Sequence, residues 1–311
     1  MKISLLLLLF SLSIRPVYAQ DFFAFLMPNA PTTSIEIEGA FHPERKVSKK
    51  QGNSDVIKTG FGINQKAYDD SKNMVTVGAK LQELDLDQND DFLRDYYNHQ
   101  VSVGFRRTLP DNKFWFTSVS YGSASDKPFK KSRDSTIGIS HIQKFSQKWY
   151  GAFNYSNNRS FLNNVPLPGF FYVKEMSRDK IFIVGLPFLF WLKPITQSFS
   201  ISYLGVIPWT HRLKLIYTSL GTIRPYLSFE QSPQSYFRHD RDARYDRFYW
   251  FERRLALGAE GDINRNFRYD LSGGYAFDRE FSEGKNFSEK NNFSARLENS
   301  YFMAFSLRVN L

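Results

Sequence analysis

The chain has 311 residues, a formal charge of +10, 17 % aromatic residues and no cysteine. The lack of cysteine excludes disulfides, thiol nucleophiles, thiolate metal sites and a lipoprotein anchor. The basic balance favours anionic partners such as phosphorylated lipid heads, and no later window holds 18 consecutive apolar residues, which excludes a spanning helix.

The first element is Met1-Lys2 followed by a short apolar run, Ile3 to Leu12, and then Val17-Tyr18-Ala19. One positive charge, a leucine-rich stretch and small residues before Gln20 describe a secretory signal peptide over 1–19. Residues 20–32 then read as an N-terminal periplasmic segment and 33–311 as the folded domain. An exported chain does not meet cellular nucleic acid, so no nucleic-acid partner is expected.

From residue 35 onward the dominant signal is alternation, which places successive side chains in two environments. Dyads occur near 35–41 and 56–66. In 74–82, Val75, Val77, Ala79 and Leu81 oppose Thr76, Gly78, Lys80 and Gln82. In 97–106, Val101, Val103 and Phe105 oppose Gln100, Ser102, Gly104 and Arg106. Further dyads follow at 113–121, 135–144 and 149–156. The stretch 169–196 is a nearly continuous apolar run with prolines, and Pro187 would break a helix there. Alternation resumes at 198–204, 211–218, 222–230 and 251–261. In 267–281, Phe267, Tyr269, Leu271, Tyr275, Phe277 and Phe281 oppose Arg268, Asp270, Asp278 and Glu280. In 293–311 the apolar phase runs to Leu311, interrupted at Asn299.

Short polar turns alternate with long polar stretches through much of the chain. That asymmetry, strands of ten or more residues and aromatics at strand ends point away from a soluble sandwich. The expected fold is all-β: a transmembrane antiparallel up-and-down β-barrel of about twelve strands, within a range of ten to fourteen. The upper figure applies if 169–196 adds a hairpin. The localisation this implies is the bacterial outer membrane, and the barrel surface would contact outer-membrane lipid and lipopolysaccharide.

The polar phase supplies candidate lumen residues: Lys80, Arg106, Arg212, Lys214, Arg254, Arg268 and Arg308, with Glu260, Asp270, Asp278 and Glu280. Such a set is either a salt-bridged plug or the lining of a narrow pore; a constricted lumen is favoured. Its basic excess would suit a small anionic solute. The most charged stretch, Tyr236–Arg254, splits into a mixed-charge outer loop over 236–246 and a strand from Arg247. Counting back from Leu255 puts Arg253, Phe251 and Tyr249 on the lipid face near the outer rim, where an arginine among aromatics suits a lipopolysaccharide phosphate.

Chemistry is sparse. The five histidines, His42, His99, His141, His211 and His239, include none with a serine two residues away on one strand face, the arrangement that would mark a barrel lipase or deacylase. His239, Asp240 and Asp242 are the nearest thing to a protease-like cluster, and a solvated loop explains them. No catalytic residue, metal site or cofactor is expected. The alternatives are a barrel enzyme acting on lipid and a secreted soluble basic binding protein.

Two resemblances add to this. The closing "AFSLRVNL" is similar to the alternating terminal strand read by the outer-membrane assembly machinery, although Leu311 replaces the usual aromatic. The segments "GLPFLFWLKP" (185–194), "FSISYLGVIP" (199–208), "RPYLSFEQ" (224–231) and "RRLALGAEGDINRNFRYDLSGGYAFDRE" (253–280) resemble a family of bacterial outer-membrane β-barrels known only as a domain of unknown function. That resemblance implies the barrel fold and no activity. The function expected is passage or binding of small solutes, porin-like or constricted, or envelope organisation.

Overall fold

The structure, a computed structural model, describes residues 32–48, 52–70, 72–86, 94–159, 162, 164–176, 180–186, 188–206, 210–240, 247–285 and 290–311. The expected signal peptide, and all but the last residue of the segment 20–32, lie outside these. The strands are β1 Thr33–Lys46, β2 Asn53–Asp69, β3 Asn73–Asp85, β4 Tyr96–Thr108, β5 Phe114–Ser125, β6 Ser135–Lys144, β7 Trp149–Ser156 and β8 Leu167–Met176. They continue with β9 Ile181–Leu186, β10 Phe188–Pro194, β11 Phe199–Val206 and β12 Thr210–Tyr217. β13 is Ile223–Gln231 resumed as Gln234–Phe237, β14 is Arg247–Asp262, β15 is Phe267–Gly284, and β16 is Lys290–Leu297 resumed as Ser300–Asn310.

Each strand pairs antiparallel with the next, and β1 pairs with both β2 and β16, so the sheet is a closed barrel of 16 strands. At the seam, Thr33 and Leu311 exchange backbone hydrogen bonds of 3.1 and 2.8 Å. Closure is what hydrocarbon demands, because it offers no partner to an open edge.

The count exceeds the expected twelve by four: the dyads outside 169–196 already make thirteen strands, and the other three lie in that stretch. Three strands run there, β8, β9 and β10, where alternation allowed one hairpin at most. Phe171, Val173, Ile181, Ile183, Phe190 and Leu192 face inward and are buried, while Phe170, Val184, Leu186 and Trp191 are exposed on the outside. With apolar residues on both faces, the period of 2 disappears from the sequence.

The outer face carries an apolar band. On β15 it runs Phe267, Tyr269, Leu271, Gly273, Tyr275 and Phe277. Steps of about 3.4 Å at a tilt of about 40° make that run roughly 26 Å tall, which matches the apolar height of outer-membrane barrels. Tyr275 and Tyr301 meet edge to face at 5.6 Å at its outer margin. Trp149, stacked on Phe170 at 4.8 Å, belongs to the periplasmic margin.

Wall height is uneven. β2, β14 and β15 have 17, 16 and 18 residues, whereas β9 and β10 have six and seven and β7, β11 and β12 have eight. Above the low side the tall strands close on themselves. The resumed part of β13 continues along β14 beyond the end of β12 and meets β5, where Phe237 pairs with Ser125. This second, narrower ring comprises the outer ends of β1–β5 and β13–β16. Every one of those nine strand ends supplies its packed centre: Val47, Val56, Leu84, Leu86, Tyr96, Ala124, Tyr236, Phe248, Trp250, Phe281, Ala295 and Leu297. A ring near eight strands is filled by its own side chains. The outer end is therefore a solid cap.

Leu271 lies midway along the apolar run of β15 and points outward. Leu271→Arg should lower folding stability by about 2–4 kcal/mol in lipid, the midplane cost of a lipid-facing arginine. Urea titration of folding into vesicles, followed by the heat-dependent gel shift, measures it.

Candidate functional site

The cap is locked by a clasp, Ser232–Asp240, that crosses to the opposite wall. The Asp126 N–H donates to Phe237 O at 3.4 Å. The Asp126 carboxylate accepts the His239 N–H at 2.8 Å and Arg94 at 2.9 Å, and lies 2.7 Å from the His239 ring Nδ1. Arg94 also reaches Asp240 at 3.1 Å, and Arg238 bonds Asp240 at 2.8 Å and Glu283 at 2.6 Å. Lys131 and Arg133 donate to the His239 carbonyl at 2.6 and 3.2 Å. Asn158 and Ser235 exchange two further bonds. Burial works against the charge on Arg238, but its bond to Asp240 and the nearby acids hold its pKa above the usual guanidinium range. Burial raises the carboxyl of Asp134. Asp126, His239 and Asp240 bring ligand atoms within 4.8 Å of one another. Arg94 and Arg238 already supply the positive charge there, so the cluster reads as a lock.

Beneath the cap the lumen is laced with ion pairs. Glu252 on β14 receives Lys58 of β2 at 2.5 Å and Arg254, with Arg279 of β15 and His42 of β1 at 3.8 Å. Nearer the periplasm, Glu260 gathers Lys214, Arg224 and Arg268 at 3.1, 3.4 and 3.5 Å. Lys214 also meets Asp270 at 3.0 Å, and the Tyr226 hydroxyl donates to Asp270 at 2.5 Å. Gly258 makes room for that ring: a Cβ there would lie 2.4 Å from it. Arg212–Glu230 and Arg308–Glu36 add pairs at 2.9 and 2.5 Å. One cavity of about 60 Å³ lies between Arg212, Tyr226, Arg254, Asp270 and Phe302, and another of about 40 Å³ between Glu36, Glu38, Lys80 and Gln100. Each is large enough for a few waters. The inner face of β5–β11 is different: Phe116, Ile142, Phe171, Ile183, Phe190 and Leu204 form one apolar surface.

The structure places Lys80, Arg106, Arg212, Lys214, Arg254, Glu260, Arg268, Asp270 and Arg308 on the inner face. Asp278 and Glu280 lie on the other side. A β-bulge opposite Glu252, with Asp278 at a positive φ of 49°, inverts the phase of β15. Arg279, Phe281 and Glu283 turn inward in consequence. Asp278 instead pairs with Arg253 outside the barrel at 2.6 Å, the two side chains 56 % and 41 % exposed. Phe251 does lie beside Arg253, but neither it nor Tyr249 is exposed on a lipid face. Both are buried, because their part of β14 rises above the band into the capped region. Arg253 points outward over the Phe251 ring, 5.7 Å from its centre, and is committed to Asp278 and Gln231.

Residues missed at the sequence level are His42, Lys58, Arg224 and Arg279 of the lumen and Arg94, Asp126, Arg238 and Glu283 of the clasp. Extending the phase argument along β2 and β13 finds Lys58 and Arg224. Asp126 and His239 are separated by 113 positions, and nothing local marks them as partners. His141 and His211 bond Thr117 and Tyr203 on the outer face.

No family model and no curated protein matches the chain. Solved structures do. A Pseudomonas putida F1 outer-membrane channel matches at 6 % identity over 91 % of this chain and 96 % of its own, with a TM-score of 0.40. The toluene transporter TodX of Pseudomonas putida matches at 8 %, over 92 % and 91 %, with 0.37. The translocator domain of the autotransporter NalP from Neisseria meningitidis matches at 10 %, over 94 % and 95 %, with 0.31. At these identities and scores the likeness decides nothing about this chain. The closed ladder and the apolar band by themselves make the chain an integral protein of the bacterial outer membrane.

Removing one partner from a buried ion cluster strands the others. Glu252→Ala leaves Lys58, Arg254 and Arg279 facing one another and should cost about 3–5 kcal/mol in urea titrations. Glu44→Ala, an exposed acid at the rim, is the control that should stay near zero.

Proposed function

We propose that this outer-membrane barrel binds and passes a small anionic solute, and that it rests closed. The observation that carries the reading is the pair Arg224 and Arg268. Their guanidinium groups converge on Glu260 at 3.4 and 3.5 Å from neighbouring parts of the wall. Nε and one terminal nitrogen of Arg224, and both terminal nitrogens of Arg268, are buried without a hydrogen-bond acceptor. Buried donors of this kind cost free energy until an acceptor arrives. A carboxylate, sulfate or phosphate matches the forked donor geometry.

The electrostatics of the whole lumen favour the same sign of solute. Among the described residues the inward cations Lys58, Lys80, Arg106, Arg212, Lys214, Arg224, Arg254, Arg268, Arg279 and Arg308 outnumber the inward acids Glu36, Glu38, Glu230, Glu252, Glu260, Asp262 and Asp270. Within low-dielectric walls such an excess attracts anions and repels cations. The closed resting state follows from the cap and its clasp. The Asp126 carboxylate holds both His239 and Arg94 across the clasp, so its loss opens the outer end first.

Planar-bilayer recording tests this. The wild-type protein should pass little steady current, Asp126→Ala should open it, and the reversal potential in a salt gradient should show anion preference. Adding Arg268→Gln to Asp126→Ala should move that preference toward zero. A wild-type current as large as that of Asp126→Ala, or cation preference in the opened variant, would overturn the proposal.

A further inference from the structure

We propose that the outer loop 126–134 holds a phosphate of lipid A in the outer leaflet, with Lys127 and Lys130 at the headgroup and Phe129 among the acyl chains. The site lies outside the barrel and does not depend on what the lumen passes.

The loop folds down over the outside of the wall. On β5 the outward phase runs Val119, Tyr121, Ser123 and Ser125. Val119 and Tyr121 are exposed, whereas Ser123 and Ser125 are fully buried, because the loop covers them. The Ser123 hydroxyl donates to Asp134 O at 3.1 Å and accepts the Phe129 N–H at 3.2 Å. The Ser125 hydroxyl accepts the Lys127 N–H at 3.0 Å, and the Asp134 N–H donates to Lys131 O at 3.0 Å. Lys131 and Arg133 tie the loop to the His239 carbonyl of the clasp. The loop is therefore fixed to the wall on one side and to the cap on the other.

Phe129 sits at a positive φ of 59°. That region costs a bulky side chain about 1–3 kcal/mol. Its ring is 52 % exposed and stands beside Tyr121 at 6.2 Å and His99 at 6.5 Å, both on the outer face. A ring left half exposed adds little packing to offset the strain. Its position gives it another use. Tyr121 lies seven residues above Phe114 on β5, about 18 Å up a layer of roughly 25 Å. Beside Tyr121, the Phe129 ring extends the apolar band at its outer margin.

The charges of the loop are sorted by side. Lys127, Lys130 and Lys131 are exposed, while its two acids, Asp126 and Asp134, are buried. On the outer face, the paired row through Ser125 and Tyr97 meets an acid only at Glu83, two strands away. A positive edge directly above an aromatic one suits a phosphorylated head with acyl chains beneath it. Free phosphate would leave Phe129 unused. Arg253, the residue expected to meet such a phosphate, is neutralised by Asp278.

Titration of the detergent-purified protein with bisphosphorylated lipid A, read by native mass spectrometry, tests the assignment. The wild-type protein should bind it saturably. Lys127→Gln combined with Lys130→Gln should weaken binding by roughly 10–30-fold. Lys148→Gln, an exposed lysine in the periplasmic turn between β6 and β7, should change nothing. Phe129→Gly should weaken binding by about 10-fold while leaving the urea midpoint unchanged or higher, because glycine accepts this φ. The heat-dependent gel shift verifies that each variant is folded. If the folded double lysine variant binds lipid A as tightly as Lys148→Gln does, the proposal is overturned. Displacement of lipid A by millimolar inorganic phosphate would make this a free-phosphate site and overturn the lipid assignment. A Phe129→Gly variant that loses stability and keeps its affinity would make the ring structural and overturn its role in the leaflet.

Discussion

Hydrocarbon offers nothing to a peptide N–H or C=O, so every strand edge in a membrane must find a partner. This chain meets that demand twice. The first closure joins β1 to β16 and makes the wide wall. The second joins the end of β13 to β5 and makes the narrow ring above it. The two rings have different numbers of strands, and the difference sets what fills them. The narrow one has room for its own side chains and nothing more. The wide one has a perimeter larger than its side chains occupy, and charge pairs across strands take up much of the interior.

Those charges are held on terms that differ from a surface. Glu252 and Glu260 each collect three or more cations from several strands, and their wide separation along the chain makes each cluster a tie across the barrel. Clusters with more cations than acids keep a positive field in a low-dielectric space. Arg279 shows how finely this depends on the backbone. It reaches Glu252 only because the bulge at Asp278 turns it inward.

Much of this was legible in the residue pattern. Leu255, Leu257, Leu271 and Phe305 fall outward, and Glu260, Arg268 and Arg308 inward, because a strand with lipid on one side and charge on the other must alternate. The rest was hidden for physical reasons. Where β8–β10 are apolar on both faces, no period survives to be counted. Where β15 takes an extra residue, the period survives but inverts, so Asp278 and Glu280 were assigned the wrong side. The clasp, 232–240, has the composition of a solvated loop, and only its distant partners Arg94, Asp126 and Glu283 give it another meaning.

The uneven wall also acts on the bilayer around it. A membrane adjusts its thickness to the apolar height of the protein it meets, at a modest cost per ångström of mismatch. Beside β15 that height is close to the full layer; beside β9 and β10 it is not. The lipid next to the low side is therefore drawn thin, and chains there are compressed and splayed. The barrel carries with it a permanent gradient of lipid packing, and it will settle with the low side toward the thinnest or most curved membrane it encounters.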